Sequence, residues 1–495
     1  MGTNRSTGAT IRLSGSDTTF VLDEPIEPQH TLKVAVFDEA SSRGFDLEHM
    51  SQVIADAVTV LPQMQWRAQS VPLGLGRPVW ITDPRFNVRN HLRHARLPEP
   101  GTKTQLCQMI SEVASDPVPP GRPPWELWFF EGYEGSKVVA VLKMNHALAD
   151  GGRLVELLDL LTHPGPDAPT VAPPIPRPPE MLSGVDALRD GIRELWHQYR
   201  RELPRRLRAI RQGRATARGS APVPHSPSML RDQRKLPWRG PLTPGRSFSW
   251  VSLPLDEIKA IAKAGSGTVN AVVFAIAAGA IREYLIEAGV PTDRPVVANA
   301  AAKVRREGDN QLWGTTATNR TFWLPTHLAD PLERLREANV QTKAVRASVD
   351  ARAVQREEWF DLAPPILLSP TLRLTRLMGQ RVNGALIVSN VKGPSEKRYF
   401  SGMGVENFIS CGHLKYAAGV NITVWSYADM LNFAVYGCSR TLPDAELFTQ
   451  RIQSAFEELR EAAGVSAHPT TGGTGESEPA TATQTDHAAA RRGDS

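Results

Sequence analysis

A proline-rich run between residues 163 and 180 constrains the fold more than any other feature of this sequence. The run contains eight prolines. Proline has no backbone N–H and fixes φ, so neither a helix nor a central strand continues across such a run. The chain of 495 residues also exceeds the size at which one hydrophobic core stops growing. The sequence therefore predicts two folded domains, at 12–163 and 246–463, joined by a linker at 164–245.

Both ends of the chain are predicted to lie outside these domains. Residues 1–11 are expected to be a flexible N-terminus, and they lack the apolar core of a signal peptide. The residues at 464–495 contain almost no large apolar side chains, which predicts a disordered tail. The longest apolar stretch, Ala271–Ile281, is too short to span a bilayer. We therefore expect a cytoplasmic protein that does not cross a membrane.

Apolar patterning in both domains indicates helices layered on mixed sheets. Runs such as Leu32–Phe37 and Val138–Leu142 match buried strands, whereas Met50–Leu61 and Thr104–Ala114 have helical spacing. The second domain repeats this pattern, with predicted strands at Phe248–Leu253, Ala385–Ser389, Val420–Trp425 and Leu431–Tyr436 and predicted helices at Leu255–Ala264, Val269–Glu287 and Asp444–Ala462. The fold class is therefore α/β, in the form of an α+β sandwich.

The linker contains a basic amphipathic helix, predicted at residues 186–211. Arginines crowd the positions between apolar residues that recur at helical spacing, namely Leu188, Ile192, Leu195, Trp196, Tyr199 and Leu203. Such a helix can bind an anionic lipid surface, where the apolar stripe enters the interface and arginines contact the head groups. It can equally be a crossover helix packed on its own protein. The sequence leaves both interpretations open.

Net charge and cysteine usage narrow the expected partners. The net charge is +5, and the basic residues gather in the linker rather than interleaving with aromatic residues over a sheet face. This distribution argues against a nucleic-acid partner. The three cysteines are far apart and lack metal-ligand spacing, so neither a disulfide framework nor a metal site is expected.

One segment, Met144–Gly152, carries the residues best suited to catalysis. A strand-like run ends just before His146 and a helical pattern begins at Leu154, so His146 is predicted on a strand-to-helix turn. A histidine that titrates near neutral pH can remove a hydroxyl proton as the oxygen attacks a thioester. Asp150 either caps the helix or turns toward the histidine loop. The same spacing also fits a structural histidine beside a helix cap.

Motifs spread over both domains give the chain a family resemblance. Met144-Asn-His-Ala-Leu-Ala-Asp-Gly151 resembles the HHxxxDG motif of the wax ester synthase/diacylglycerol acyltransferase family, which is found in bacteria that store neutral lipids. Further matching segments are Leu13–Asp17 with Phe20, Pro78–Trp80, Pro117–Glu126 with its Arg122, Pro123 and Trp125, Gly240–Leu242, Pro244–Arg246, Thr268–Asn270, Ser389–Pro394 and Asn421–Val424. The resemblance covers residues from about 14 to 462.

The resemblance implies two chloramphenicol-acetyltransferase-like domains in one chain, with a tunnel between them. It implies transfer of a long-chain fatty acyl group from acyl-CoA, a co-substrate that needs no further cofactor, to diacylglycerol or a fatty alcohol. It maps the general base onto His146 and the loop-organising aspartate onto Asp150, followed by Gly151 at the turn. Such an enzyme is expected in the cytoplasm, peripherally at the inner membrane face or on lipid droplets through the helix at 186–211.

Substrate contacts are predicted at Asn145, Gly151, Asn270, Ser389 and Asn390. Asn270 begins a predicted helix, and the two residues Ser389 and Asn390 precede a Gly-Pro turn. Capping and turn-forming roles explain these three residues equally well.

Three positions depart from the family pattern. Asn145 stands where the family has its first histidine, Ala271 where it often has aspartate, and Lys392 where it has proline. An amide forms hydrogen bonds but does not titrate near neutrality. One alternative is therefore a weakened or non-catalytic homologue that binds lipid surfaces. Another is a condensation-type acyltransferase with a different acceptor, which shares the motif and the two-lobed fold.

Overall fold

The computed structural model describes residues 10–24, 27–165, 178, 181–205, 207–208, 236–303, 313–315, 317–347, 361–382, 386–414 and 418–467. Most of the predicted flexible N-terminus, of the proline-rich run and of the disordered tail lies outside the described residues, as does the end of the basic helix predicted at 186–211.

The N-terminal half alternates short strands and helices, as its sequence predicts. Its elements are β1 (Ile11–Arg12), α1 (Gly15–Asp23), β2 (His30–Phe37), α2 (Glu39–Ser42), α3 (Leu47–Val60), β3 (Trp66–Gln69), β4 (Val79–Thr82), β5 (Leu92–Arg96), α4 (Lys103–Ser115), β6 (Trp125–Tyr133), β7 (Lys137–Asn145) and α5 (Gly151–Leu161). Thr102 and Gln105 form a reciprocal capping box that fixes the start of α4.

The linker helix α6 (Gly184–His197) precedes the C-terminal half. The elements that follow are β8 (Arg246–Pro254), α7 (Leu255–Ala264), α8 (Val269–Glu287), β9 (Val296–Lys303), β10 (Ala317–Leu324), α9 (Pro331–Ala347), α10 (Pro365–Val382), β11 (Leu386–Lys392), β12 (Tyr399–Phe400), β13 (Met403–Cys411), β14 (Val420–Tyr427), β15 (Met430–Cys438) and α11 (Ala445–Ala462). The predicted bounds of α7 and α8 are confirmed. Ala385, predicted to begin β11, lies outside the described residues.

The first six-stranded sheet contains strands from both halves of the chain. Its order is β12-β13-β2-β7-β6-β5, so two strands of the C-terminal half extend the N-terminal sheet. Val34 of β2 pairs with Ile409 of β13 on one side and with Val141 of β7 on the other. The predicted domains at 12–163 and 246–463 therefore share a sheet, which their sequences did not indicate.

The second six-stranded sheet has the order β10-β9-β11-β14-β15-β8. β11 runs parallel to β9 and β14, and the remaining pairs are antiparallel. The apolar helix α8 packs in the core of this half, with Ala271 through Ile281 buried. By length and composition alone α8 could cross a bilayer, but 67% of its apolar window is buried, as in the core helix of a globular domain.

A shared core joins the two halves. Ile110 of α4 belongs to the same buried cluster as Trp250 of β8 and Tyr436 of β15. Backbone N–H groups of β8 also donate to serine hydroxyls of α4, from Phe248 to Ser111 at 3.0 Å and from Arg246 to Ser115 at 2.9 Å. The position of one half relative to the other is thus fixed by apolar packing as well as by strand pairing.

The linker helix α6 packs on the N-terminal half through one face. Ala187 and Gly191 are buried there. A Cβ atom on Gly191 would lie 2.7 Å from Val71 Cγ1, so this glycine permits the close approach of the helix. The crossover interpretation of the helix is confirmed for this face.

Acidic side chains on the packed face of α6 form ion pairs with half-buried arginines. Glu194 pairs with Arg77 at 2.6 Å, and Asp190 pairs with Arg12. Charged groups thus face inward on this helix, whereas part of the predicted apolar stripe faces outward.

Candidate active site

His146 follows the last residue of β7, at one end of the central strands of the first sheet. Asn145 ends β7 in register with His30 of β2, and the N–H of His146 donates to the carbonyl of Gln29 at 3.2 Å. The chain then turns into α5, which begins at Gly151. His146 thus lies on a strand-to-helix turn, as the sequence predicted, with its side chain half-buried.

Two aromatic rings contact the imidazole of His146. Phe20 of α1 stacks on it with ring centroids 4.7 Å apart, and His413 meets it edge-on at 4.6 Å. His413 follows β13, whose last residue Cys411 pairs with Leu32 of β2. Since β2 also pairs with β7, both histidines lie at the same end of these three strands. Sequence reasoning missed His413, because only the strand pairing brings it there.

Residues 313–315 of the C-terminal half complete the surroundings of His146. Thr315 Oγ1 lies 3.3 Å from His146 Nδ1. Gly314 donates its N–H to the carbonyl of Leu148 at 2.9 Å and accepts from the N–H of Asp150 at 3.3 Å. Its φ of +80° lies in the left-handed region that favours glycine. The Thr315 hydroxyl is therefore presented by a tightly held backbone, and no sequence motif indicated it.

Asp150 caps α5. Its carboxylate accepts a hydrogen bond from the N–H of Arg153 at 2.9 Å, and the side chain is buried. The helix-capping position, one of the two that the sequence left open, is thus observed. Gly151 packs against β11, where an added Cβ atom would lie 3.3 Å from Val391 Cγ2.

Asn145 connects the histidine turn to a buried carboxylate. Its Nδ2 donates to Glu24 Oε2 at 2.9 Å, and its Oδ1 accepts from the N–H of Ala147 at 2.9 Å. Glu24 also accepts from the N–H of Gln29 at 2.7 Å and faces His30 Nδ1 at 3.1 Å. Burial alone would raise the pKa of Glu24, but these hydrogen bonds hold it below its ordinary value. An amide thus holds the turn where the family pattern has its first histidine.

The predicted contacts from the second domain lie close together. Asn390 Nδ2 donates to Asn270 Oδ1 at 3.2 Å, which joins β11 to the start of α8. Ser389 precedes Asn390 and pairs in register with Thr423 of β14. The next residue of β11, Val391, packs beside Gly151, and it points to the opposite face of the strand from Asn390 because successive strand side chains alternate.

The two other departures from the family pattern have different surroundings. Ala271 is fully buried, and its N–H donates to Thr268 Oγ1, the N-cap of α8, at 3.2 Å. Lys392 is exposed at the end of β11. Ala271 therefore belongs to the core of the C-terminal half, whereas Lys392 faces solvent.

The Pro-Trp-Glu segment at the start of β6 makes structural contacts. Trp125 is buried and its Nε1 donates to the carbonyl of Met64 at 2.7 Å. Glu126 pairs with the buried Lys143 of β7 at 2.9 Å. These contacts secure the strand that leads to His146, so this segment supports the site without reaching it.

A cavity of about 250 Å³ lies between α5 and the loop at 393–398, and its lining residues do not include His146. Arg398 at this cavity pairs with Asp159 of α5 at 2.8 Å. The predicted tunnel stays a prediction.

Solved structures with a similar fold define the class of protein. A wax ester synthase/diacylglycerol acyltransferase from Marinobacter aquaeolei VT8 matches with a TM-score of 0.64 at 23% identity, over 92% of this chain and 100% of that chain. The trichothecene 15-O-acetyltransferase TRI3 of Fusarium sporotrichioides matches with a TM-score of 0.57 at 13% identity, over 93% and 97%. The first condensation domain of the calcium-dependent antibiotic synthetase matches at 0.56 and 14%, over 92% and 97%. The chain therefore has the two-lobed fold of chloramphenicol-acetyltransferase-like proteins.

Sequence comparisons identify the family within that class. The wax ester synthase/diacylglycerol acyltransferase catalytic domain matches residues 13–273, and the WS/DGAT C-terminal domain matches residues 313–460. Two Mycobacterium tuberculosis proteins, provisionally named as diacylglycerol O-acyltransferases, are 31% and 32% identical over 92% and 93% of this chain and 98% of their own lengths. The chain belongs to the wax ester synthase/diacylglycerol acyltransferase family, and its reaction class is acyl transfer.

Proposed function

We propose that this chain transfers a long-chain fatty acyl group from acyl-CoA to diacylglycerol or a long-chain alcohol, with His146 as the general base. The observation that carries this proposal is the half-buried imidazole at the junction of the two halves, with the Thr315 hydroxyl at its Nδ1. A histidine in this position suits the removal of a hydroxyl proton near neutral pH. Family membership supports the reaction class.

The reaction needs one proton to move twice. Nε2 of His146 accepts the hydroxyl proton of the acceptor while its oxygen bonds to the thioester carbonyl carbon. The tetrahedral intermediate then breaks its carbon–sulfur bond, and the imidazolium returns the proton to the departing thiolate, which gives an ester and free CoA. A positioned general base contributes about 10² to 10⁴ in rate. Oxyanion stabilisation and substrate alignment supply the rest.

Direct attack by the acceptor is proposed rather than a covalent acyl-cysteine route. Cys411 is the cysteine nearest in sequence to His413, but burial raises the pKa of its thiol to about 12. The thiolate is the nucleophilic form, so this cysteine is a poor nucleophile at neutral pH. Direct transfer also balances without a cofactor beyond acyl-CoA.

Asp150 and Asn145 are proposed to shape the histidine turn rather than to transfer protons. Asp150 fixes the start of α5 through its hydrogen bond to the N–H of Arg153. Asn145 ties the turn to Glu24, so its presence in place of histidine leaves the proposed base intact. This argument favours an active enzyme over a non-catalytic homologue.

Gly151, Asn270, Ser389 and Asn390 are proposed to line the substrate side of the histidine turn. The Asn390–Asn270 hydrogen bond joins two amides, whose remaining donors and acceptors can bind polar groups of acyl-CoA or of the acceptor. The names of the two mycobacterial relatives favour diacylglycerol as the acceptor.

The enzyme is also proposed to bind an anionic lipid surface, on the cytoplasmic side of a membrane or droplet, through a surface that we term the α6 face. It consists of the exposed side of α6, Met181 before the helix, residues 198–202 that continue it, the neighbouring turn at 72–74 and the start of α10. Large apolar side chains exposed here are Leu73, Met181, Val185, Ile192, Trp196, Tyr199, Ile366 and Leu367. Exposed arginines among them are Arg189, Arg193, Arg200 and Arg201. Apolar groups can enter the lipid interface while the arginines contact anionic head groups.

Simultaneous release of thiol and formation of ester test the activity. Purified protein is incubated with oleoyl-CoA and either dioleoylglycerol or hexadecanol, and CoA and ester are quantified. We expect equal amounts of both products and a loss of about 10² or more in rate for His146→Ala. His49→Ala changes an exposed histidine of α3 and should keep wild-type activity.

Each result of this assay has a defined meaning. Absence of ester with both acceptors would refute the enzymatic proposal and favour the non-catalytic lipid-binding alternative. Ester formation that His146→Ala leaves unchanged would refute the assignment of the base. Transfer only to an acceptor held on a carrier protein would favour the condensation-type alternative.

Vesicle sedimentation tests the α6 face. We expect binding to phosphatidylglycerol vesicles, weaker binding to phosphatidylcholine, and a loss of binding when Ile192→Ser and Trp196→Ser are combined. Val340→Ser removes an exposed apolar side chain from α9 and is the matched control. Equal binding by the double variant and the control would refute this surface.

A further inference from the structure

Asp17 is a buried acid beside the proposed base, and the reaction described above does not use it. It lies in α1 and is 4% exposed. Ser14 Oγ donates to Asp17 Oδ2 at 2.7 Å, and a Cβ atom on Gly314 would lie 3.2 Å from the same oxygen. The carboxyl group therefore packs directly against the segment that carries Thr315.

Thr315 connects Asp17 to His146. Its Oγ1 lies 3.3 Å from His146 Nδ1, and its hydroxyl also interacts with the Asp17 carboxyl, whose pKa it lowers. The hydroxyl also lies 3.5 Å from the carbonyl oxygen of His146, which is a second acceptor for its proton. A threonine hydroxyl has one proton to donate and can accept as well. Asp17 thus packs against the segment of Thr315, and Thr315 lies against His146, so the three residues are neighbours across the two halves of the protein.

The charge of Asp17 determines which of Asp17, Thr315 and His146 donates a hydrogen bond and which accepts it. An ionised carboxylate only accepts hydrogen bonds, so it draws the Thr315 proton. Thr315 Oγ1 then accepts from His146, which requires the histidine proton on Nδ1 and leaves Nε2 as the basic nitrogen. A protonated Asp17 can donate instead. The Thr315 proton then turns to Nδ1, and the histidine proton occupies Nε2, where it blocks base catalysis.

We propose that Asp17 is a positioning residue that selects the tautomer of His146 through the Thr315 hydroxyl. The inference rests on the proposed function, because only a base that uses Nε2 needs this tautomer. A similar orienting role for a carboxylate beside a catalytic histidine is a general device of acyl-transfer sites. Here the carboxylate acts through a hydroxyl supplied by the other half of the chain.

This arrangement adds a second titrating group to the site. Burial raises the pKa of Asp17 from its ordinary value of 3.8 to about 7. The groups that face it are the hydroxyls of Ser14 and Thr315, which oppose this rise, and the carboxyls of Asp150 and Asp361, which add to it. Asp361 is itself paired with Arg77 at 2.8 Å. Asp17 therefore changes charge near neutral pH, and the active tautomer is favoured on the alkaline side.

Nitrogen-15 NMR of the histidine-labelled full chain measures the tautomer directly, because protonated and unprotonated ring nitrogens differ in chemical shift. The signals of His146 are assigned by their loss in His146→Gln. At about pH 8 we expect the Nδ1–H tautomer in the wild type and a shift toward Nε2–H in Asp17→Asn, because an amide can donate to Thr315. Thr315→Val should lose the preference as well, and Thr315→Ser should retain it.

Ester formation is the second readout. At about pH 8 we expect kcat to fall at least about tenfold in Asp17→Asn and Thr315→Val, with a much smaller change in KM, as for loss of the correct tautomer. Thr315→Ser should stay close to wild type. Thr18→Val removes a buried hydroxyl from the residue next to Asp17 and controls for general damage to α1.

The two proposals fail in different ways. An unchanged His146 tautomer in folded Asp17→Asn overturns the inference, even if His146 proves to be the base. If Asp17→Asn does not fold, an unchanged tautomer in Thr315→Val overturns the inference in its place. A wild-type protein that forms no ester refutes the proposed function instead, and the NMR measurement still decides what sets the tautomer.

Discussion

Replacing Asp17 by asparagine should stabilise the protein at alkaline pH, although it disables the proposed tautomer selection. Burial raises the pKa of Asp17 from 3.8 to about 7, so the folded protein holds this proton more tightly than the unfolded chain. The wild type therefore loses stability as the pH rises from about 4 through about 7. The complete loss is about 4 kcal/mol, because the folded protein then keeps a poorly solvated carboxylate that the unfolded chain exposes to water.

The variant carries no such charge, so its advantage over the wild type should grow with pH. Below about pH 4 Asp17 is protonated in both states, and the charge makes no difference to the free energy of unfolding. At about pH 8 the variant should have gained up to about 4 kcal/mol on the wild type. Asp56→Asn removes an exposed carboxylate of α3 and should change the free energy of unfolding by less than about 0.5 kcal/mol at every pH.

Urea denaturation of the three proteins across this pH range measures the effect. Tryptophan fluorescence and circular dichroism should give coincident transitions, which is the condition for a single free energy of unfolding. A difference between Asp17→Asn and wild type that stays flat with pH would refute the reasoning, because the carboxylate would then be as well solvated as in the unfolded chain.

Three further substitutions test other contacts. Glu24→Gln removes a buried charged acceptor and should cost about 2 to 4 kcal/mol near neutral pH, measured by denaturation. The pKa of Glu24 is lowered, so the stability from its charge is present above its ordinary pKa and is lost as the pH falls. Gly314→Ala adds a Cβ atom at a φ of +80° and should cost about 1 to 2 kcal/mol. Gly314→Ala should also lower kcat, because it would move Thr315. An unchanged kcat would contradict this role of Gly314. Gly191→Val should loosen α6, because the new side chain would meet Val71, and limited proteolysis should cut the linker faster than in the wild type.

The sequence predicted the elements whose signals are local. The bounds of α8 follow from Thr268, whose hydroxyl caps the helix, and from an apolar run that needs burial on every side. Asp150 likewise marks the start of α5 by a hydrogen bond three residues away. In both cases the side chain that caps the helix lies three residues before the backbone N–H group to which it is hydrogen-bonded.

The surroundings of His146 could not be predicted in this way. Thr315 contacts the imidazole because Gly314 forms backbone hydrogen bonds with Leu148 and Asp150. His413 contacts the imidazole because β13 pairs with β2. Each contact depends on strand or bridge pairing between distant parts of the chain, which apolar periodicity does not specify.

The linker helix was predicted correctly in type and incompletely in orientation. Its apolar residues divide between two sides, since Leu188 and Leu195 are half-buried while Ile192 and Trp196 are exposed. Glu194 faces inward and pairs with the half-buried Arg77, a pairing that the apolar pattern of the helix does not indicate.

The exchange of β13 into the first sheet imposes an order on biosynthesis. β2 emerges from the ribosome early, yet one of its edges stays without its partner until residues 403–411 have been made. Such an open edge of a nearly fully buried strand is a site for unwanted pairing with other chains. The nascent protein must therefore carry this edge through most of translation, and a message truncated before β13 would yield a chain prone to aggregate as well as one without the neighbour His413.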